Sequence, residues 1–351
     1  MKAALCIDDA VGELRRALLD NEGRPFRLDI ERWSERNARA RLDEIRWGRA
    51  RARIGARGWF IDLGLGADGV LETKAAITEG AMIPVRVKSE AWADKGPVLS
   101  LADMPASAAR PEKPGLHRAS GEDPFLAGMS IARTVTGQEA RRAIDFAVEE
   151  ATSPSIELPG GGRISIAATR ALTAIDIDAA GRVARAASDL DLNLAAAPEC
   201  ARQIGLRSIG GLVVADFITM ERREDQAAVV ERFRQALAQQ LGRTSKVLEM
   251  SALGLCEAAI ARRRRPVADA LACAPEEREA LDALRLIETE GLAGPQRIEA
   301  VLSRPAAAWL NQDTIGWRQA LVNRIGARWT IRAEDRPPQF QNAQPKVWRA
   351  T

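Results

Sequence analysis

The chain has 351 residues, of which 46% are hydrophobic and 28% are charged, and its net charge at pH 7 is only +3. This length exceeds that of one ordinary domain, so two or three domains are expected. The apolar content excludes a globally disordered chain. The longest apolar runs are much shorter than a membrane span, which excludes a helical membrane protein.

Cysteine and histidine are scarce, and this limits the chemistry. The four cysteines lie far apart and none forms a CxxC pair, so no zinc site built from linked cysteine pairs is expected. A single histidine, His117, excludes a two-histidine nuclease and argues against a Ser-His-Asp triad. Any hydrolysis must therefore use carboxylates and a metal ion, or a less usual set of groups. The N-terminus has no secretory pattern, so the expected location is the cytoplasm.

The first third of the chain reads as β-structure. Residues 1–35 are predicted to form strands that flank an Asn-Glu-Gly turn and pack on the catalytic part. Residues 36–102 contain short strands at roughly ten-residue spacing, bounded by Gly, Asp or Pro, which predicts a small barrel. Residues 103–125 hold four of the 17 prolines and are predicted to be a linker.

Residues 126–265 alternate between helix and strand, which is typical of an α/β domain. Helices are predicted at about 137–151 and 224–241. The almost wholly apolar run 211–220 is typical of a strand in a sheet that is covered on both faces. The segment KVLEMSALGLCEAA is predicted to be strand, turn and helix. Residues 266–351 contain two further helical patterns and the strand ARWTIRAED, and they end in a loosely held tail at 337–351.

Acidic residues interrupt two of the apolar strands. Asp176 lies in TAIDID and Asp216 in LVVADFITM, where an ionised carboxylate is costly unless something compensates it. Asp178 is two residues from Asp176, so both share one face of a strand. One interpretation is a Mg²⁺ site, because Mg²⁺ takes one or two carboxylates together with water and substrate phosphate. The other is that these side chains are solvated at strand ends or paired with arginines.

Three segments together are similar to one protein family. ISIAATRALTAIDID, LNLAAAPECARQIGLRSIGGLVVADFITM and MSALGLCEAA resemble the catalytic core of the ribonuclease E/G family in order and spacing. The resemblance implies an α/β catalytic domain of the RNase H-like or DNase I-like type over 126–265. It also implies an OB-fold RNA-binding domain over 36–102 and a small C-terminal α+β domain within 266–351.

The resemblance implies that Asp176 and Asp216 hold Mg²⁺, for which Mn²⁺ can substitute, and that Asp178 belongs to the catalytic group. Asp178 stands where the family has Asn, which can donate a hydrogen bond that Asp cannot. In the barrel, Phe60 matches an aromatic that stacks on RNA bases, whereas a second family aromatic is replaced by Val70. Trp59 is interpreted as a substitute platform or as a core residue.

Further residues match RNA contacts or a sensor of the family. Lys88 and Lys95 match basic positions that contact backbone phosphates. Arg243, Lys246 and Arg262 are further candidates for RNA contacts; for Arg262–Arg265 an ordinary basic helix end is an equal alternative. Arg133 and Thr134 match a segment that senses a 5′-monophosphate, but a long stretch after it is missing. The zinc-link region is reduced to Cys273, so no zinc is expected, and any homodimer is expected to form without a zinc link.

The residues and the resemblance together favour a Mg²⁺-dependent endoribonuclease that cleaves single-stranded RNA to 5′-phosphate and 3′-hydroxyl ends. The alternative is a catalytically degenerate protein that only binds single-stranded RNA, which the substitutions at Asp178 and Val70 favour. A nuclease that acts on DNA is a third, weaker reading, because a sequence does not show recognition of the 2′-hydroxyl. No membrane association is expected.

Overall fold

The computed structural model describes residues 2–36, 38–56, 58–104, 109–159, 161–179, 188–242, 245–335 and 345–349. The chain divides into two compact units. The first contains Met1–Cys6, Ala17–Leu28 and Arg39–Asp269, and the second contains Ile7–Arg16, Asp29–Ala38 and Ala270–Thr351. The structure contains no helix that is long and apolar enough to cross a membrane among the residues searched, which are those described.

The N-terminal strands are β1 (Lys2–Ala10), β2 (Glu13–Leu19) and β3 (Pro25–Arg32). The predicted turn lies between β2 and β3, where the Asp20 carboxylate accepts hydrogen bonds from the backbone N–H groups of Glu22 and Arg24. These strands form a sheet in the order β10-β1-β2-β3, in which β10 (Ser130–Val135) is parallel to β1.

A closed five-stranded barrel follows, with β9 added outside it against β4. Its order β5-β6-β8-β7-β4 closes through the β4–β5 pairing, and β6 and β8 are parallel. This barrel is compatible with an OB-fold. The six strands are β4 (Ile45–Ile54), β5 (Gly58–Asp62), β6 (Gly69–Glu72), β7 (Met82–Ser89), β8 (Val98–Leu101) and β9 (Gly115–Arg118). Since β9 falls within 103–125, the predicted linker includes a strand of the barrel sheet.

The α/β part of the first unit has a mixed six-stranded sheet in the order β11-β12-β13-β14-β16-β15. β13 and β14 are parallel, and the other pairs are antiparallel. The elements are α1 (Gly137–Thr152), β11 (Ser155–Glu157), β12 (Arg163–Ala168), β13 (Leu172–Asp178), α2 (Asp189–Leu206), β14 (Gly211–Asp216), α3 (Arg223–Leu241), β15 (Ser245–Val247) and β16 (Leu255–Ile260).

One face of this sheet carries the core. Ile175 and Val213 point from β13 and β14 into a buried cluster with Cys200 and Ile204 of α2 and Phe233 of α3. The opposite face is open, since Leu212 on β14 is 59% exposed. The expectation that β14 is covered on both faces was therefore wrong.

The predicted helix at the end of KVLEMSALGLCEAA was also wrong, because this stretch is the strand β16. Its side chains alternate between buried and exposed, with Cys256 and Ala258 buried and Glu257 exposed. Pairing with β14 on one side and β15 on the other overrides the helical preference of its Ala, Glu and Leu residues.

The second unit contains α5 (Pro275–Ala293), α6 (Arg304–Gln312) and α7 (Trp317–Ile325) beside a three-stranded sheet in the order β18-β17-β19. A short helix α4 (Val267–Leu271) precedes them, and the strands are β17 (Ile298–Ser303), β18 (Trp329–Glu334) and β19 (Lys346–Arg349). The tail was expected to be loosely held, but its residues 346–349 pair with β17.

Candidate functional site

Asp176 and Asp216 lie side by side on the open face of the mixed sheet. They are register partners across the parallel strands β13 and β14, so about 4.8 Å separates their backbones. Each follows a buried residue, Ile175 or Ala215, and is itself exposed. Strand alternation thus directs both carboxylates to the same side, at the C-terminal ends of two parallel strands. The sequence expectation of costly carboxylates in apolar surroundings is corrected, because solvent reaches both groups.

Asp178 is on the same face but has a partner of its own. Arg163 is opposite it on β12, and the Arg163 Nη2 atom donates to Asp178 Oδ2 at 3.3 Å. Both side chains are 42% exposed. Arg163 therefore offsets the charge of Asp178, which is the interpretation in which an acidic residue pairs with a nearby arginine.

The donor chemistry of the Asp176–Asp216 pair fits Mg²⁺. Two exposed carboxylates are what this ion takes from a protein when waters and a substrate phosphate fill its other positions. In the described part of the chain, no group of three or more His, Cys, Asp or Glu side chains is arranged to hold a metal ion. The pair would therefore depend on water and substrate to complete the coordination, as nucleotide-processing Mg²⁺ sites commonly do.

A buried amide fixes the chain immediately after Asp216. Asn193 on α2 is fully buried, and its Oδ1 accepts from the Ile218 N–H at 3.0 Å while its Nδ2 donates to the Ile218 carbonyl at 2.8 Å. The two bonds satisfy both backbone groups of Ile218 at the point where β14 ends. The sequence alone does not identify Asn193 as a functional residue, because an Asn inside a predicted helix does not indicate which distant backbone it contacts.

A groove of about 950 Å³ on the barrel brings four of the predicted RNA-binding residues together. Phe60, Lys88, Lys95 and Arg262 all line it. Phe60 is 41% exposed on β5, whereas the neighbouring Trp59 is buried in the barrel core. The interpretation of Trp59 as a core residue is therefore the correct one.

The floor of the groove is an apolar strip across three strands. Phe60 is opposite Val70 on β6, and Val70 is opposite Val98 on β8. Trp92, in the hairpin after β7, and Arg51 also line the groove. Arg51 is paired with Asp62 at 2.8 Å, and this hydrogen bond raises its pKa. Aromatic and aliphatic surface beside cations is the combination that binds single strands by base stacking and charge.

The remaining predicted residues lie elsewhere. Lys246 is exposed on β15 and is opposite Ala259 on β16. Ala259 is in turn opposite Leu212 on β14. Lys246 is therefore level with Leu212, which lies about 13 Å along β14 from Asp216. Arg243 lies outside the described residues. Arg133 and Thr134 are exposed on β10, where the Arg133 guanidinium is 3.7 Å from Glu139.

The four consecutive arginines 262–265 lie in four different environments. Arg262 lines the groove, Arg263 is 3.3 Å from Asp43, and Arg264 donates to the Leu28 carbonyl at 2.8 Å. The fourth arginine of the run, Arg265, is buried. The run lies between β16 and α4, so the alternative of a basic helix end is wrong: the segment precedes a short helix and does not end one.

Comparison with known proteins bears on this same part of the chain. Residues 133–265, which include β13, β14 and both carboxylates, match the model of the Ribonuclease E/G family. Over this segment, which is a little more than a third of the chain, the protein matches the ribonuclease E/G family. The family assignment from ALTAID, ARQIGLRSIGGL and VVADFITM is confirmed.

Three relatives illustrate the extent of the similarity. Ribonuclease E of Escherichia coli (strain K12) is 35% identical over 201 residues, which is 53% of this chain and 18% of that protein. Ribonuclease E of a Nostoc species is 42% identical over 118 residues, covering 32% of this chain and 17% of the relative. Ribonuclease G of E. coli (strain K12) is 32% identical over 127 residues, covering 35% and 26%. The chain thus spans about a quarter or less of the relatives it matches.

Proposed function

We propose that the protein is a Mg²⁺-dependent endoribonuclease that cleaves single-stranded RNA in the cytoplasm and leaves 5′-phosphate and 3′-hydroxyl ends. The observation that carries this proposal is the register pairing of Asp176 with Asp216 on an open sheet face. The printed names of the relatives, ribonuclease E and ribonuclease G, support the same reaction class.

Asp176 and Asp216 would hold the metal ion. A bound Mg²⁺ supplies Lewis acidity at a phosphate oxygen and lowers the pKa of a water. The protein's own contribution is positional: strand pairing fixes the two carboxylates, Asn193 fixes the chain after Asp216, and Arg163 offsets the nearby charge of Asp178. His117 lies on β9 with its ring edge-on to Trp47, and no second histidine exists, so a histidine acid/base pair has no place in the reaction.

The groove supports single-stranded RNA as the substrate. Stacking on an exposed aromatic such as Phe60 requires an unpaired base. Because every base has a π-face, this contact tolerates different sequences. The same groove supports the alternative function, a protein that binds single-stranded RNA without cutting it, and one experiment separates the two.

The experiment measures cleavage of a fluorescent single-stranded RNA with Mg²⁺ or with EDTA. It uses the wild type, the Asp176→Asn/Asp216→Asn variant, and Asp145→Asn as a control on the exposed surface of α1. We expect wild type and control to cut only with Mg²⁺, and the folded double variant to lose cleavage. The upstream product should be extended by a polymerase that needs a free 3′-hydroxyl. Circular dichroism confirms folding.

Two results would reject the hydrolase. If wild type binds the RNA but does not cut it over a range of Mg²⁺ and Mn²⁺ concentrations, the binding function replaces it. If the folded double variant cuts as fast as wild type, the two carboxylates are not the catalytic pair. Equal cleavage of a DNA strand of the same sequence would show that RNA is not specifically required.

A further inference from the structure

Arg262 is held in the groove by contacts with a ring and with backbone, and no carboxylate among the described residues pairs with it. Its Cζ is 3.9 Å from the centroid of the Trp92 ring. It also lies against Gly210 and Gly211 at the start of β14: a Cβ at Gly211 would collide with Arg262 Nη2, and one at Gly210 would come within 2.6 Å of Cγ. Gly211 has a φ of +96°, so this backbone is one that other residues rarely adopt.

The main chain on both sides of this stack is tied together. The Glu90 N–H donates to the Arg263 carbonyl at 2.8 Å, and the Glu90 carboxylate accepts from the Arg265 N–H at 3.1 Å and the Leu42 N–H at 3.2 Å. Trp92 is held in its own hairpin, where its N–H and carbonyl pair with those of Lys95 at 3.1 and 2.9 Å. Both stacking partners therefore start from fixed backbone.

Three cations lie at this end of the groove: Arg262, Lys88 and Lys95. Within the described residues, no ion pair joins Arg262, Lys88 or Lys95 to a carboxylate. The Lys95 Nζ is 5.0 Å from the centroid of the same Trp92 ring. Asp94, the nearest acidic residue in sequence, is engaged by Arg170 at 2.9 Å. Two positive charges thus lie over one half-buried tryptophan, and neither has an acidic partner in the part of the chain that the structure describes.

Stacking leaves an arginine able to bind a phosphate. The ring covers the flat face of the guanidinium, whereas the five N–H donors point outward in its plane. A planar fork held in one orientation loses less conformational freedom when it binds an anion than a free side chain does. Lys95 can add a second charge to the same anion as a point cation.

We propose that Trp92 is a positioning residue that presents Arg262, together with Lys95, to a backbone phosphate of the RNA strand in the groove. The inference rests on the proposed function, because it assumes that a nucleic-acid strand occupies this groove. It assigns Trp92 a role through Arg262 and not through stacking on a base, and this difference is measurable.

The test is the salt dependence of binding to a fluorescent single-stranded RNA, measured by anisotropy in EDTA so that no cleavage occurs. Each phosphate contact on a single strand contributes about 0.7 to the slope of log affinity against log salt. Arg262→Gln should lower the slope by about this amount. Trp92→Leu should lower it similarly although it removes no charge, and Trp92→Phe should retain most of it because a ring remains.

Two further variants calibrate the measurement. Phe60→Ala should weaken binding without changing the slope, because it removes a stacking surface and no phosphate contact. Arg232→Gln, on the exposed side of α3, should change neither quantity. In the Trp92→Leu/Arg262→Gln double variant, the slope should equal that of Arg262→Gln alone, since Trp92 acts only through Arg262.

The outcomes separate this inference from the proposed function. It is overturned if Trp92→Leu binds like wild type, or if it weakens binding at an unchanged slope as Phe60→Ala does. A wild-type protein that shows no salt-dependent RNA binding would reject the proposed function itself. A wild type that binds as described but does not cut RNA in Mg²⁺ would reject the hydrolase and leave the role of Trp92 standing.

Discussion

Asp176 and Asp216 show what alternation in a strand can and cannot reveal. The sequence predicted that Asp176 and Asp178 share a face, and they do, because the spacing of two residues is a property of any strand. The exposure of the carboxylates was not predictable, because the apolar residues beside them face the opposite side of the sheet. Their register depends on how β13 pairs with β14, and sequence spacing carries no information about that pairing.

The partners of individual side chains were equally hidden. Nothing local links Asn193 to Ile218, which is 25 residues away, or Trp92 to Arg262. Both contacts exist only after distant segments have folded together. The sequence could therefore nominate Arg262 as a cation in the site, but it could not identify the ring that orients it.

Asn193→Leu should impair both stability and cleavage. The substitution leaves the N–H and carbonyl of Ile218 without their partner, at a cost of about 1–3 kcal/mol for an unsatisfied buried group. Asp216 lies two residues before Ile218, so the rate of cleavage at saturating RNA should fall while RNA binding to the barrel groove is retained. Urea unfolding and single-turnover cleavage measure the two effects.

Asn323→Leu is the matched control for this prediction, since Asn323 is exposed on α7. Surface substitutions of this kind typically change stability by no more than about 0.5 kcal/mol. Equal unfolding free energies and cleavage rates for Asn193→Leu and Asn323→Leu would contradict a positioning role for Asn193.

At the level of elements, long periodic segments were predicted well and short alanine-rich ones were not. Helices α1 and α3 lie where the sequence places them, because their amphipathic pattern extends over four turns or more. β16 was predicted to be helical, because Leu, Glu and Ala favour a helix locally. Its burial alternates with a period of two, which a run of six residues shows too briefly to decide.

The core between α2 and β16 makes stability depend on pH in the alkaline range. Burial raises the pKa of the Cys200 thiol strongly and that of Cys256 to about 11. In the unfolded chain, both thiols ionise near pH 8.5. Between these values the unfolded state binds fewer protons than the folded state, so stability must fall as pH rises. The chain has no tyrosine, which removes one competing titration.

We expect wild type to lose more unfolding free energy between pH 7.5 and pH 10 than the Cys200→Ala/Cys256→Ala variant does. The double substitution lowers stability at both pH values by creating space in the core, so the comparison concerns the slope and not the absolute value. Urea unfolding at the two pH values measures it. Parallel pH profiles of the two proteins would show that these thiols do not control the alkaline loss.

For the whole molecule, distant parts of the sequence meet in one unit. The sequence predicted five successive segments, 1–35, 36–102, 103–125, 126–265 and 266–351. The structure places Ile7–Arg16 and Asp29–Ala38 in the same compact unit as the C-terminal region. Sequence patterns locate helices, strands and the turns between them. A compact unit assembled from both ends of a chain has no continuous stretch of sequence that would reveal it.

A buried ionic cluster holds this second unit together. Arg285 on α5 is hydrogen-bonded to Asp8 and lies 2.5 Å from Glu13, and all three side chains are at most 6% exposed. In the same unit, the Val11 N–H donates to Glu288 at 2.9 Å. The carboxylates of N-terminal residues are thus neutralised by an arginine of the C-terminal region. Because these groups are excluded from water, each charge needs the opposite charge beside it.

Arg285→Met should destabilise the protein by about 3 kcal/mol, because it removes a buried cation that contacts both Asp8 and Glu13. Arg297→Met, at an exposed position of the same unit where Arg297 donates to Thr330, is the control and should have little effect. Urea unfolding of both variants measures the difference. A deficit that equals that of Arg297→Met at pH 7 would mean that the two ends of the chain do not depend on this cluster.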